Sequence, residues 1–421
     1  MSTRLSIPED ALVEIPSPHL ARRRAFQSFE PRKVNNLTLI DGKTFLSTTV
    51  AGDIAPSGAP DVGFFHDDTR FLSHLELRIG GHRALMLSSG TENNYNSQIE
   101  LTTANITLRN SFDLPENTIH VRREQLLANE VFFDRLTFEN FNLSSVDLLV
   151  ELTYDADFVD VFQVRGVARE AEGQYFQPII HGNRLSFYYR GRDGILRYSV
   201  VEMSPAPDDL DEHIARWELK LPPLKKFSLE VTVTPFVEGR ESRATGYDHA
   251  AKLRLRRQKY TEWRNDSTHF ESSQGVFDAM LNTAIGDFHA LQVPDRDQRT
   301  IAAGIPWFAT IFGRDSIISS YQALSLNPQL ATDTLRVLAR YQGTEYNDWR
   351  DEEPGKILHE FRNGELTRSG EMPFGPYYGS VDATPLFLIL LSETYNWTAD
   401  DELVRELLPA AYRALDWIDR Y

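Results

Sequence analysis

The hydrophobic repeat of this chain changes period once, near residue 247, and that change constrains the fold more than any single motif. From about Asn35 to Gly239 the chain alternates apolar with polar residues or runs β-branched and aromatic, as in Leu37–Ile40, Thr44–Val50, Leu75–Ile79, Ile119–Arg123, Val131–Phe138, Val146–Tyr154, Leu185–Tyr189, Arg216–Leu221 and Phe227–Phe236. Turn signals such as Asp41-Gly42, Gly80-Gly81 and Pro222-Pro223 separate these runs. Many short strands with no helix between them predict an antiparallel β-sandwich. After residue 247 the apolar spacing becomes helical. Val276, Phe277, Met280, Leu281, Ala284, Ile285, Phe288 and Leu291 form one stripe. Further helices are expected over 316–326, from Asn327-Pro328 to about Gln342, over 385–395 as a helix buried on most sides, and over 400–421.

The domain organisation follows. Residues 1–30, with Pro8, Pro16, Pro18 and the run Arg22-Arg23-Arg24, read as a mobile arm. Residues 31–243 are the sandwich, 244–266 a basic amphipathic linker helix, and 267–421 a helical domain. The chain ends at Trp417-Ile-Asp-Arg-Tyr421 with no glycine cap or polar tail, so the last domain is expected to be cut partway.

Composition narrows the function classes. With 44 basic and 61 acidic side chains the net charge is −17, which repels phosphate backbones and argues against a nucleic-acid partner. The absence of cysteine excludes disulfides, thiolate nucleophiles and Cys-ligated zinc. No signal-peptide core opens the chain, and the longest apolar run, Leu386–Leu391, is far below the ~20 residues of a membrane helix. A cytoplasmic protein with no membrane partner and no cofactor is expected.

In the sandwich, His66-Asp-Asp-Thr-Arg-Phe-Leu-Ser73 places a histidine beside two carboxylates. Neighbours along an extended chain point to opposite faces and do not converge on one ion, so Asp68, Thr69 and Arg70 are read as a polar network stitching a loop to the sandwich or to the next domain. The helical half, read as a toroid of helical hairpins, carries three clusters in its loops. In Gly304-Ile-Pro-Trp-Phe-Ala-Thr-Ile-Phe-Gly-Arg-Asp315, Gly313 allows a sharp turn, Arg314 offers a planar fork of donors and Asp315 suits an N-cap. The others are Lys356-Ile-Leu-His-Glu-Phe-Arg362 and Gly370 to Pro385, where Thr384-Pro385 reads as a helix start. Asp382 would then feel the positive end of the helix, which lowers its pKa, whereas a general acid needs a raised one.

These motifs, with Phe64-Phe-His-Asp-Asp-Thr-Arg-Phe-Leu-Ser73 and Tyr377-Tyr-Gly-Ser-Val-Asp-Ala-Thr-Pro-Leu-Phe387, resemble bacterial glycogen-debranching proteins of the amylo-α-1,6-glucosidase type. The resemblance implies an N-terminal sandwich followed by the first half of an (α/α)6 six-hairpin glycosidase barrel. It implies hydrolysis of α-glucosidic bonds in glycogen-like glucans with inversion, using two carboxyl groups ~6.5–9.5 Å apart. By the same resemblance Asp382 is the general acid, with Glu360 and Glu371 as rivals that could instead pair with Arg362 or Arg368. Arg314 and Asp315 form the clamp at the −1 subsite, and Trp307, Glu360, Tyr377 and Tyr378 bind substrate, the aromatics by stacking on sugar rings. The general base belongs to the later half of such barrels, and no acid of this chain takes that role. An α-glucan or oligosaccharide is the expected partner. Two alternatives keep the fold: a hydrolase of a small α-glucoside such as trehalose or a compatible solute, and a non-catalytic glucan-binding or regulatory protein.

Overall fold

The structure, a computed structural model, describes residues 11–17, 36–54, 61–108, 113–169, 171–239 and 248–421. It divides into two compact units, one of residues 1–39 and 46–249, the other of 40–45 and 250–421.

The first unit is built on two antiparallel sheets. The larger has the strand order Glu14–Ile15, Gln174–His181, Arg184–Arg190, Leu196–Ser204, Lys226–Val237, Val131–Asn140, Ile119–Ala128, Asn96–Thr102, Leu85–Asn93. The smaller runs Asp209–Leu210, Ile214–Leu221, Val146–Asp155, His74–Ile79, His82–Arg83. Leu77, Val150 and Trp217 of the smaller sheet share one core with Val121, Leu136 and Val231 of the larger, so the two inner faces meet as the alternation predicts. The expected arm over 1–30 lies mostly outside the described residues; where it is described, Glu14 and Ile15 pair with Phe176 and Tyr175 as an edge strand.

The sandwich interior also holds buried charge. Arg123 projects inward with Val121, is wholly buried, and donates to Asp134 at 2.7 Å and to Asp53 at 2.7 Å. The segment around His66 is a hairpin of Gly63–His66 and Thr69–Leu72, turned by Asp67 and Asp68 at φ 45° and 64°. Asp68 accepts from Val161 N at 2.9 Å, and Arg70 forks onto Asp157 at 3.0 and 2.5 Å. The network therefore ties the hairpin to the start of a short helix, α1 (Val161–Val164), within the same unit.

In the second unit, α2 (His249–Asn265) and α3 (Gly275–Ala290) pack through Tyr260 and Trp263 against the His289 ring. The expected linker helix thus belongs to this unit, and its buried Arg256 reaches Asp41 at 2.7 Å. The remaining helices are α4 (Gly313–Gln322), α5 (Gln329–Arg340), α6 (Glu365–Arg368), α7 (Ala383–Thr398) and α8 (Asp401–Arg420). The helical reading omits a four-stranded antiparallel sheet of Gln292–Asp295, Gln298–Gly304, Phe308–Phe312 and Glu360–Phe361. Two helices are less buried than their patterns predict. In α3, Val276, Phe277 and Met280 are exposed, and α7 hides Phe387, Leu390 and Leu391 while exposing Ile389 and Trp397. Among the described residues no helix is long and apolar enough to cross a membrane.

Candidate functional site

The site forms where the strand Phe308–Phe312 turns into α4 beside the start of α7. Strand and helix meet at Gly313, whose amide donates to His359 O at 2.9 Å. A Cβ at Gly313 would lie 1.9 Å from Leu358 O and 3.2 Å from Ala383 Cβ. The glycine is needed for this close approach of backbones, not for the sharp turn expected from sequence, because its φ is not in the left-handed region.

Arg314 and Asp315 therefore stand in the first turn of α4. The N-cap position is Phe312, so Asp315 is not the cap that its spacing suggested; it faces Arg314, with Nε 3.8 Å from its Oδ2. The start of α7 differs in the same way. Helix geometry begins at Ala383, with Asp382 at the N-cap position, and the Thr384 hydroxyl, fully buried, instead accepts from Ile357 N at 2.9 Å. That bond holds the helix start against the segment 356–362.

Because the Asp382 carboxylate makes no capping bond, both its oxygens are available to side chains. Ser380 Oγ donates to Oδ1 at 2.9 Å, and Arg314 Nη1 lies 3.3 Å from Oδ2. Burial pushes the carboxyl up, but the Ser380 hydroxyl and the Arg314 guanidinium outweigh it and hold the group below the usual aspartate range. In this arrangement Asp382 is an ionised acceptor.

The structure brings Arg314, Asp315 and Asp382 together and sorts the other predicted residues differently. Glu360 is buried and taken by Arg362 at 2.5 Å, while Arg362 Nη2 donates to Trp307 O at 2.7 Å. Glu360 thus takes the expected alternative of pairing with Arg362, but as the partner of a buried guanidinium. Trp307 is half-buried in the turn before Phe308–Phe312, anchored through its carbonyl. Tyr377 is half-buried; its phenol bonds to Asp351, which with burial raises its pKa. Tyr378 cannot stack on a sugar. It is 3% exposed, belongs to the helical core and donates to Tyr341 O at 2.8 Å, since adjacent residues in this extended stretch face opposite ways. Glu371 accepts from Ser369 at 2.7 Å. Ser380 and Thr384 were missed as site residues. A serine two positions before an aspartate at a helix start is the signal that Ser380 offered.

Residues 39–232 match the family described as the N-terminal domain of (some) glycogen debranching enzymes. Among solved structures, a human-microbiome protein described as a kojibiose phosphorylase shares the fold over 92% of this chain, with a TM-score of 0.59 and 12% identity. This chain spans 58% of that structure's length. A galactose mutarotase related enzyme from Lactobacillus acidophilus aligns with 50% of this chain and 100% of its own, at 8% identity and a TM-score of 0.30. No curated protein matches the chain.

Proposed function

We propose, from a sandwich that matches the N-terminal domain of debranching enzymes, that this chain belongs to a cytoplasmic glycoside hydrolase acting on α-glucosidic bonds of glycogen-like glucans. The observation that supports the reading best is the convergence of Arg314, Asp315 and Asp382 at the heads of two packed helices. A fork of cationic donors beside two carboxylates is a composition suited to neutral, hydroxyl-rich ligands, which offer both donors and acceptors.

In the proposed reaction Arg314 and Asp315 grip sugar hydroxyls at the −1 subsite, while Trp307 and Tyr377 offer half-buried aromatic faces. Asp382 gives its proton to the glycosidic oxygen, and the C1–O bond breaks with its electron pair going to that oxygen. Water attacks C1 from the opposite side and yields its proton to a carboxylate base, a role assigned to no residue of this chain. The inverted sugar leaves. In the full-length protein, Asp382→Asn should lower glucose release from a branched limit dextrin by several orders of magnitude without weakening dextrin binding; equal turnover removes Asp382 from the reaction.

A second reading is favoured by the depressed pKa of Asp382, which suits an orienting carboxylate better than an acid. Under it the protein binds glucan without cleaving it, and dextrin binding with no turnover in the full-length protein is the outcome that selects it.

A further inference from the structure

Arg314 is placed to serve two partners but is held firmly by neither. Its Nη1 contact to Asp382 is 3.3 Å and its Nε contact to Asp315 is 3.8 Å, long for charge-assisted bonds. Its side chain is 44% exposed and that of Asp382 40%, so the pair lies open to an arriving ligand. Ser380, by contrast, holds the other oxygen of Asp382 at 2.9 Å. The carboxylate is thus fixed in position by a neutral donor and kept charged by a loosely held cation.

Other charges of the second unit are committed elsewhere. Asp351 takes the Tyr377 phenol, Glu360 takes Arg362, Arg336 of α5 is forked onto Glu406 of α8, and Arg340 pairs with Asp295. The first turn of α7 contributes no acidic side chain. Among the described residues, Arg314 is the one ion-pair partner of Asp382.

We propose that Arg314 is a ligand-operated switch on Asp382. In the empty site it keeps Asp382 ionised; a sugar whose hydroxyls draw off the guanidinium removes that counter-charge and covers the carboxylate, which then takes up one proton from solvent. The same proton is the one passed to the glycosidic oxygen, so the acid is armed by substrate and idle without it. Arming follows from two effects acting in one direction: loss of a neighbouring cation and loss of water both favour the neutral carboxyl. The inference rests on the sugar-site reading given above, and Arg314 acts in it as a positioning residue toward Asp382.

The switch is tested first in the free protein, without ligand. Carboxyl-13C aspartate labelling gives an NMR titration for Asp382, its signal identified by its loss in Asp382→Asn. Arg314→Met should raise the midpoint by about one pH unit, a tenfold weaker acid, whereas Arg314→Lys, which keeps the charge, should leave it low. An unchanged midpoint in Arg314→Met overturns the switch whatever the ligand does. Calorimetric titration with maltotriose near pH 5, in buffers of different ionisation enthalpy, then measures protons taken up on binding. Uptake that disappears in Asp382→Asn is expected. Binding with no uptake overturns the switch and leaves the sugar-site reading standing, while no binding of maltotriose or isomaltose overturns both.

Discussion

At the residue scale, the site depends on atoms too close for any alternative side chain. Gly313→Ala sets a methyl 1.9 Å from Leu358 O, so the strand-to-helix junction must shift. Destabilisation of about 1–3 kcal/mol is expected from such overpacking, read as a lower urea midpoint, together with loss of sugar binding. At Gly379 a Cβ would lie 2.2 Å from the Tyr377 hydroxyl, so there the Tyr377 side chain rather than backbone would have to move. Ser380→Ala should raise the Asp382 titration midpoint while leaving the fold intact, because the lost bond is to a half-exposed carboxylate. What sequence could say at this scale was which residues matter more than how. Arg314 and Asp315 stood out by residue type and Asp382 by the resemblance to debranching proteins, and the three do meet. Tyr377 and Tyr378 were indistinguishable in sequence, because nothing local says which ring turns inward until the Tyr341 carbonyl supplies a partner for one of them.

Elements were legible where one face is buried and the other wet. Val146–Asp155 alternates strictly in burial and was found from its pattern; Leu85–Asn93, an edge strand exposed at nearly every position, leaves no such trace and was missed. The small sheet of the second unit was missed for a related reason, since Gln298–Gly304 and Phe308–Phe312 are short and sit amid helical periodicity. Buried polar pairs are equally invisible in a hydrophobic pattern. Arg123 occupies a core position on Ile119–Ala128 and is satisfied by Asp134, Asp53 and the Ala51 carbonyl folding around it. Arg123→Met leaves two carboxylates facing each other without their cation. It should cost about 3–5 kcal/mol, measured by urea unfolding, and far more than the same change at exposed Arg122. Thr384→Val tests the anchor between α7 and the segment 356–362: orphaning the buried Ile357 amide should cost about 1–3 kcal/mol.

Across the whole molecule, part of the acid response comes from histidines kept neutral. His249 in the first unit and His289 in the second both have their pKa lowered to about 4, chiefly by burial, with Arg135 and Arg256 as the next causes. A lowered histidine pKa means that the unfolded chain binds the proton first as pH falls. Stability from these two groups is therefore present above about pH 6.5 and declines toward pH 4. Thermal melts between pH 7 and 4 should show this decline, and His249→Gln with His289→Gln should flatten it; an unaltered slope removes both histidines as its cause. The order of architecture, sandwich and then helices, was plain from the change of period, whereas the assignment of α2 to the second unit was not, because it depends on Tyr260 and Trp263 finding His289. The hydrogen bond from Ile357 to Thr384, and the packing of α4 on α7, have one more consequence. Spacing between Arg314 and Asp382 is fixed by buried helix starts, whereas the loop 369–376 between α6 and α7 holds no buried residue. Selection can therefore rewrite that loop while Arg314 and Asp382 stay in register, and on the proposed reading the fold then separates what is bound from what is done to it.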